Sequence, residues 1–246
     1  MAKNKRKRRK VNTRFFLALF IIVLSAVVLF LTPLFNIEKI EITGNGKVSD
    51  EVILTAAEIK TGKNIFMTNL GKAEKSIRKV QYIEDVNVKR KLPGKIRIEI
   101  IEGDVAAYLD FEKNYVGINK KGKTLCFIEK ENISEAAPVV KGLTVLENTM
   151  GEAVLVQERT RYETLLRLLS TFDQLELGES ITSIDVTSAD YIVFRYKENL
   201  KIEFGDLSDY ENKFYYLTAI LDELGSEPSG VINMHSENYV YRNTIA

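Results

Sequence analysis

The fold of this chain is decided first by the stretch Asn36-Ile37-Glu38-Lys39-Ile40-Glu41-Ile42-Thr43, in which apolar and polar residues alternate. A period of two is typical of a β-strand with one buried face. Gly44-Asn45-Gly46 follows and predicts a turn. Beyond that turn the apolar residues are spaced three and four apart, so we expect helices to follow the strand.

Two helices are predicted after the turn. Ser49 is a good N-cap, and Asp50 and Glu51 suit the positive end of the helix dipole. Gly62 ends the first helix, and the second begins near Asn69. The inward residues are apolar in both: Val52, Ile53, Ala56, Ala57 and Ile59 in the first, and Leu70, Ala73, Ile77 and Val80 in the second.

Two further strands follow around Pro93-Gly94, which predicts the turn of a hairpin. Ile83, Val86 and Val88 lie before the turn, and the alternating run Lys95-Ile96-Arg97-Ile98-Glu99-Ile100 lies after it. Residues 36–102 therefore have the predicted order strand, helix, helix, strand, strand.

An apolar segment precedes this domain, with no charged residue between Phe15 and Phe35. About 20 helical residues cross a hydrocarbon layer of about 30 Å, so we predict a transmembrane helix over residues 15–35. Residues 1–14 hold eight basic side chains and no acidic one, which predicts a cytoplasmic tail and an outer body. A cleaved signal peptide is the alternative, but more apolar residues follow Ser25-Ala26 and no small-residue cleavage site does.

The charge of the body limits the classes of partner. Residues 15–246 hold 27 basic side chains against 34 acidic ones, a net charge of −7. An acidic body disfavours nucleic acid as a partner. The single cysteine, Cys126, excludes an internal disulfide, so the core alone must hold the fold.

Residues 103–246 predict a larger mixed β domain with two flanking helices. Strands are expected over residues 105–111, 115–118, 124–128, 181–186, 191–196 and 200–204, with a terminal pair near residues 230–234 and 239–241. An amphipathic helix is predicted over residues 157–175. Ser208 and Glu211 have the spacing of a capping box that opens a second helix, which runs to Leu224. The predicted class is α+β.

The first domain resembles a POTRA domain, specifically that of the FtsQ/DivIB family of bacterial division proteins. Gln81-Tyr82 stands where the family has Pro-Trp. The matching segments are Phe35-Asn36-Ile37, Ile42-Thr43-Gly44-Asn45, Gly62-Lys63-Asn64-Ile65-Phe66, residues 80–88, Arg90-Lys91-Leu92-Pro93 and Ile98-Glu99-Ile100-Ile101-Glu102.

The second domain is similar to the β domain of the same family. Its matching segments are the turn Lys120-Lys121-Gly122-Lys123 and Pro138-Val139-Val140-Lys141-Gly142. Ile232-Asn233-Met234-His235 stands where the family has Ile-Asp-Leu-Arg, so both of those charged residues are replaced here.

The resemblance implies a non-enzymatic scaffold in the cell membrane at the division septum. It implies a complex with FtsL-like and FtsB/DivIC-like single-pass proteins, while the POTRA domain faces the membrane and other division proteins. In the family the terminal strands offer an edge to the partner. By position, that docking edge is Val231, Ile232, Met234, Tyr239 and Tyr241 here.

Two other functions stay open. One is an exported enzyme with a sortase-like nucleophile at Cys126, which would need an activating histidine and arginine. The only histidine, His235, follows the cysteine, whereas sortases have it before. The other is a transport accessory that docks through its POTRA domain. The sequence predicts no cofactor, nucleic acid or small-molecule substrate. It also predicts no metal site, since one histidine and one cysteine cannot form a zinc site.

Overall fold

A computed structural model describes residues 13–30, 32–133, 137–235 and 239–243 of the chain. The predicted basic tail lies outside these ranges except for its last two residues. The helices are α1 (Thr13–Phe30), α2 (Asp50–Ala57), α3 (Leu70–Ile77), α4 (Arg159–Gln174) and α5 (Tyr210–Leu224). The strands are β1 (Lys39–Thr43), β2 (Ile83–Lys91), β3 (Lys95–Glu102), β4 (Ala107–Phe111), β5 (Asn114–Ile118), β6 (Thr124–Glu129), β7 (Val139–Lys141), β8 (Val145–Glu147), β9 (Leu155–Val156), β10 (Ile181–Asp185), β11 (Ile192–Tyr196), β12 (Leu200–Gly205), β13 (Gly230–Asn233) and β14 (Val240–Arg242).

The apolar N-terminal segment begins as α1, an 18-residue helix with exposed large side chains such as Phe20 and Ile22. A single turn of 3-10 helix follows at Pro33–Phe35. Within the ranges described, no helix combines the length and the apolarity needed to cross a membrane.

The first folded unit is the predicted strand-helix-helix-strand-strand arrangement. Its sheet has the order β1-β3-β2, with β3 parallel to β1 and antiparallel to β2. The alternation in β3 turns Ile96, Ile98 and Ile100 to one side, where they are buried with Ile53 of α2 and Ile77 of α3. Each such side chain stabilises the fold by about 1.5–3 kcal/mol on burial. The predicted POTRA arrangement is confirmed.

The loop after β1 is fixed by one carboxylate. Glu102, at the end of β3, accepts backbone N–H bonds from Gly46 (2.9 Å), Lys47 (2.8 Å) and Val48 (2.8 Å). Partial burial acts to raise the pKa of Glu102, but these donors outweigh it and leave the pKa lowered. Gly44 starts the loop with φ of +88°, and a Cβ there would lie 2.1 Å from the carbonyl oxygen of Ile100, so only glycine fits.

The second folded unit is a nine-stranded sheet in the order β14-β13-β12-β11-β10-β7-β4-β5-β6. Its large core contains buried residues of α4 and α5, among them Phe172 and Phe214, together with Phe194 and Phe204 from the strands. The ring centroids of Phe172 and Phe194 are 5.1 Å apart, and those of Phe204 and Phe214 are 4.9 Å apart. The predicted α+β class, a POTRA domain followed by a larger β-sheet domain, is confirmed.

The predicted capping box at Ser208 and Glu211 is wrong. The N-cap of α5 is Asp209, in the left-handed conformation with φ of +49°, and no side chain caps the helix. The Ser208 hydroxyl instead donates to Asp206, two residues earlier. Because Asp209 holds the N-cap position, Ser208 lies one residue outside the helix, whereas a capping box needs the serine at the N-cap itself. Ser49 does precede α2, as predicted, but makes no capping hydrogen bond.

The two units meet at strand β6, one edge of the large sheet. The backbone N–H of Tyr82 donates to the carbonyl of Leu125 (2.8 Å), and Gly103 donates to the carbonyl of Tyr82 (2.9 Å). The Lys121 ammonium lies 2.8 Å from the Glu84 carboxylate. The loop that contains Glu152 also covers this edge of the sheet, since the backbone N–H of Thr124 donates to the carbonyl of Glu152 (2.8 Å).

Candidate partner-binding edge

Strand β14 forms the other edge of the large sheet. It pairs antiparallel with β13, matching Val231 with Arg242, Ile232 with Tyr241 and Asn233 with Val240. β13 pairs on its other side with β12, so it is an interior strand. Among the described residues, no strand pairs with the outer side of β14. The open backbone edge is therefore residues 240–242, at one end of the predicted docking segment.

The five predicted docking residues fall into two groups. Ile232 and Met234 are fully buried in the core that α5 covers. Val231 and Tyr239 are partly buried, and Tyr241 is exposed. The structure thus brings Tyr239, Tyr241 and Val231 to the edge region and places the side chains of Ile232 and Met234 beyond the reach of a surface partner.

Each face of the sheet gives β14 a different neighbourhood. Cross-strand partners share a face, so Tyr241 lies on the same side as the buried Ile232, toward the helices. Val240 and Arg242 lie on the opposite side. The Tyr241 hydroxyl donates to the carbonyl of Ser229 (2.8 Å), which holds this ring beside the start of β13.

Two tyrosines of α5 extend the aromatic surface next to the edge. Tyr215 is 70% exposed and Tyr216 is 50% exposed, and their ring centroids are 5.5 Å apart. Tyr216 lies edge-on to Tyr239, also at 5.5 Å. We call Tyr215, Tyr216, Tyr239 and Tyr241 the tyrosine shelf. Sequence analysis missed the two α5 members, although a pair of tyrosines outside the apolar stripe of a helix is a usable signal of an exposed contact surface.

Asn233 and His235, which replace the family's Asp and Arg, lie beside Glu203 on the face of the sheet opposite the helices. The Asn233 side-chain amide donates to the Glu203 carboxylate (3.0 Å), and the Lys201 ammonium lies 2.7 Å from it. The hydrogen bond from Lys201 is the largest cause of the lowered pKa of Glu203. The His235 ring packs edge-on against Tyr191 at 5.6 Å. Asn233 and His235 therefore belong to one polar cluster, next to the edge but without the family's two charges.

The arrangement of Cys126 does not suit thiol catalysis. Its side chain is fully buried on β6, and burial raises the pKa of the thiol, which disfavours the thiolate. His235 follows β13, seven strand spacings away in the sheet order, or roughly 34 Å along the sheet at about 4.8 Å per spacing. A cysteine and a histidine this far apart cannot exchange a proton directly. Among the described residues there is also no group of three His, Cys, Asp or Glu side chains that could hold a metal ion.

These features define a POTRA-containing protein with a single large β domain. Residues 35–102 match the family model described as "POTRA domain, FtsQ-type". The chain is 29% identical to the cell division protein DivIB of Clostridium tetani over 221 residues, which cover 88% of this chain and 82% of that protein. It is 29% identical to DivIB of Clostridium botulinum strain Loch Maree over 243 residues, covering 96% and 92%. It is 31% identical to DivIB of Bacillus anthracis over 172 residues, covering 68% and 64%.

The chain therefore contains an FtsQ-type POTRA domain and is homologous over most of its length to DivIB cell division proteins. These three relatives are named as cell division proteins, which supports a role for this chain in bacterial cell division.

Proposed function

We propose that this chain is a non-enzymatic scaffold of the division machinery that binds FtsL-like and FtsB/DivIC-like single-pass proteins outside the cell membrane at the septum. The observation that carries this proposal is the open edge of β14 beside the tyrosine shelf. A free strand edge presents unpaired backbone donors and acceptors, and proteins use such edges to bind an added strand.

A partner strand on β14 would meet different surfaces on its two faces. Its helix-side residues would contact the tyrosine shelf, and its open-side residues would face Val240 and Arg242. Because β14 has only three residues, its backbone offers two or three hydrogen bonds of about 0.5–1.5 kcal/mol each. The side chains must therefore supply much of the affinity, and aromatic rings are well suited to it. We expect the partner segment to alternate, with apolar residues toward the shelf.

The remaining parts of the proposal concern the membrane. We assign residues 1–14 to a cytoplasmic tail, residues 15–35 to an uncleaved membrane anchor, residues 36–102 to the POTRA domain and residues 103–246 to the β domain. The apolar sequence and the exposed side chains of α1 support the anchor. The POTRA domain is left to contact other division proteins. A mid-cell band of a fluorescent fusion would support this assignment, whereas a uniform envelope signal would favour a transport accessory.

The short junction between anchor and POTRA domain is part of the proposal. Ile37 is already buried in the first core, so almost no linker separates residue 35 from the domain. A long flexible insertion after Phe35 should leave both domains folded and impair complementation of a deletion strain. Full complementation by that variant would refute a role for the junction.

The edge itself is tested by a charge placed on β14. Lysine on an edge strand opposes strand addition, so Val240→Lys in the full-length protein should weaken capture of a purified FtsB/DivIC-like protein at least about tenfold. Leu155→Lys is the matched control, because Leu155 is an exposed strand residue of the same domain outside the edge. Unchanged capture by Val240→Lys, with the control also unchanged, would refute docking at β14.

A further inference from the structure

The end of α1 is in direct contact with the POTRA domain. The side-chain amide of Asn64 donates to the carbonyl of Phe30, the last residue of the helix (2.8 Å). The Phe30 ring packs edge-on against Phe66 with centroids 5.0 Å apart, and Phe35 lies 5.6 Å from Phe30 and 5.3 Å from Phe66. The loop at residues 64–68 is therefore seated against the end of α1.

The turn between β2 and β3 lies at the same end of the domain. The carbonyl of Gly94 accepts the backbone N–H of Glu38 (2.7 Å), which follows directly from the α1 junction. Arg90, near the end of β2, donates to the carbonyls of Ile65 (2.9 Å) and Thr68 (2.7 Å). Residues 34–39, 64–68 and 91–95 thus share one end of the POTRA domain.

This end carries protruding apolar side chains. Met67 is 78% exposed and Leu92 is 59% exposed, and Leu34 and Phe66 are exposed beside them. We call Leu34, Phe66, Met67 and Leu92 the proximal rim. Apolar side chains gathered at one end of a domain indicate a contact surface, whereas single exposed ones do not.

Lysines surround the proximal rim. The sheet register places Lys95 between Lys39 and Lys91, and the carbonyl of Lys63 accepts the backbone N–H of Ile37 (2.8 Å). Lys39 and Lys95 approach Glu41 at 3.3 Å and 3.9 Å, while Lys91 and Lys63 form no ion pair among the described residues. Four lysines share this end with two glutamates, Glu38 and Glu41, so the charged groups around the rim have a net positive charge.

We propose that the proximal rim lies in the headgroup layer of an anionic lipid bilayer, with its apolar tips at the acyl boundary and its lysines among the phosphates. Apolar side chains flanked by lysine are the composition of interfacial surfaces, since the lysine stems lie along the boundary while the ammonium groups reach the headgroups. The occupant is a lipid surface because the rim is continuous with the end of α1. This inference rests on the proposed membrane anchor.

A bound rim would fix the distance of the second domain from the membrane. The second domain joins the POTRA domain at Tyr82 and Gly103, at the opposite ends of β2 and β3 from the Pro93-Gly94 turn. β2 has nine residues, which span about 30 Å. The rim therefore orients a hairpin that holds the second domain away from the headgroups.

Tryptophan quenching in the full chain tests this proposal, because the protein has no tryptophan of its own. Leu92→Trp, Phe20→Trp and Leu146→Trp would each be reconstituted into vesicles of phosphatidylglycerol and phosphatidylcholine with brominated acyl chains. Leu146 is the matched control, since it is a 56% exposed leucine on β8 of the second domain. We expect quenching of Leu92→Trp to exceed that of Leu146→Trp severalfold.

The outcomes separate the rim from the anchor. Quenching at Phe20→Trp without quenching at Leu92→Trp would overturn the rim proposal and leave the anchor standing, as expected if a protein occupies this end. Absence of quenching at both positions would overturn the anchor and the rim together. Replacing Lys39, Lys63, Lys91 and Lys95 by glutamine should lower quenching at Leu92→Trp in anionic vesicles and not in purely zwitterionic ones. Equal quenching with and without these lysines would overturn the assignment to anionic lipid.

Discussion

The two edges of the nine-stranded sheet differ in whether other described segments of the chain hydrogen-bond to the edge strand. At β6 the POTRA domain supplies the Tyr82–Leu125 backbone bond, and residues 151–152 bond to Thr124 on the same strand. On the outer side of β14 no described segment pairs with the strand, which carries Val240 and Arg242 on one face and has exposed tyrosines nearby. Open edges invite unwanted pairing and are usually blocked. Within the described residues the chain therefore covers one edge with its own backbone and leaves the other open, which is the basis for the proposed docking at β14.

The largest expected effect separates core residues from edge residues within β13. Ile232→Ala should lower the free energy of unfolding by about 2–5 kcal/mol, because it opens a cavity under α5. Val231→Ala, on the opposite face and only partly buried, should cost less than about 1 kcal/mol. Urea unfolding followed by circular dichroism measures both. Equal costs at the two positions would contradict the assigned faces of β13.

The next effect falls on binding and leaves stability unchanged. Replacing both Tyr215 and Tyr216 with alanine should raise the Kd for an FtsB/DivIC-like protein by about 10–100-fold, because exposed aromatic rings near a docking edge supply contact area. The unfolding midpoint should stay within the error of the wild type, since both side chains are exposed. An unaltered Kd would remove the tyrosine shelf from the proposed site.

A smaller effect is expected from loosening the covered edge. Gly151 has φ of +83°, and a Cβ there would lie 2.2 Å from the carbonyl oxygen of Arg78 in the POTRA domain. Gly151→Ala should therefore cost about 1–3 kcal/mol of stability and speed amide exchange at Tyr82. Gly178→Ala is the control, because a Cβ at that position meets nothing within 4 Å. If the two variants exchange alike, the loop at residue 151 does not hold the β6 edge.

The smallest expected effect is a loss of folding stability at low pH, which comes from Asp206. Hydrogen bonds from Ser208 and then from Lys213 lower the pKa of Asp206 from 3.8 to about 2. Because the folded-state pKa is depressed, this stabilisation is complete above the unfolded pKa and is lost as the pH falls from 3.8 toward 2. The Asp206 side chain is half exposed, so the contribution is no more than about 1 kcal/mol. Asp206→Asn should flatten the loss of stability over this range; an unchanged acid slope would contradict the assignment.

The local patterns predicted most of the fold. The alternation at residues 36–43 and 95–100 predicted β1 and β3, and the three- and four-residue spacings predicted α2 to α5. The order of strands in the large sheet was beyond sequence reasoning, because pairing between distant strands leaves no local signal. The Ser208 capping box failed because α5 begins one residue later than the box requires, with Asp209 at the N-cap.

The candidate site was predicted only in outline. The family resemblance placed the predicted docking segment at the C-terminal strands, but it could not separate β13 from β14. In the run Val231-Ile232, both residues are apolar, so a period of two does not say which one faces the core. Tyr215 and Tyr216 come to the edge through the packing of α5, a contact that joins residues far apart in the chain.

Strand addition at β14 is tested most directly by disulfide cross-linking to the partner. Val240→Cys would be introduced into a Cys126→Ala background, which leaves one reactive thiol, and single cysteines would be placed along the outer segment of the FtsB/DivIC-like protein. A strand paired with β14 turns every second residue toward the face of Val240, so the account predicts cross-links at alternate positions. Cross-links at every third or fourth position, or none along the segment, would contradict it.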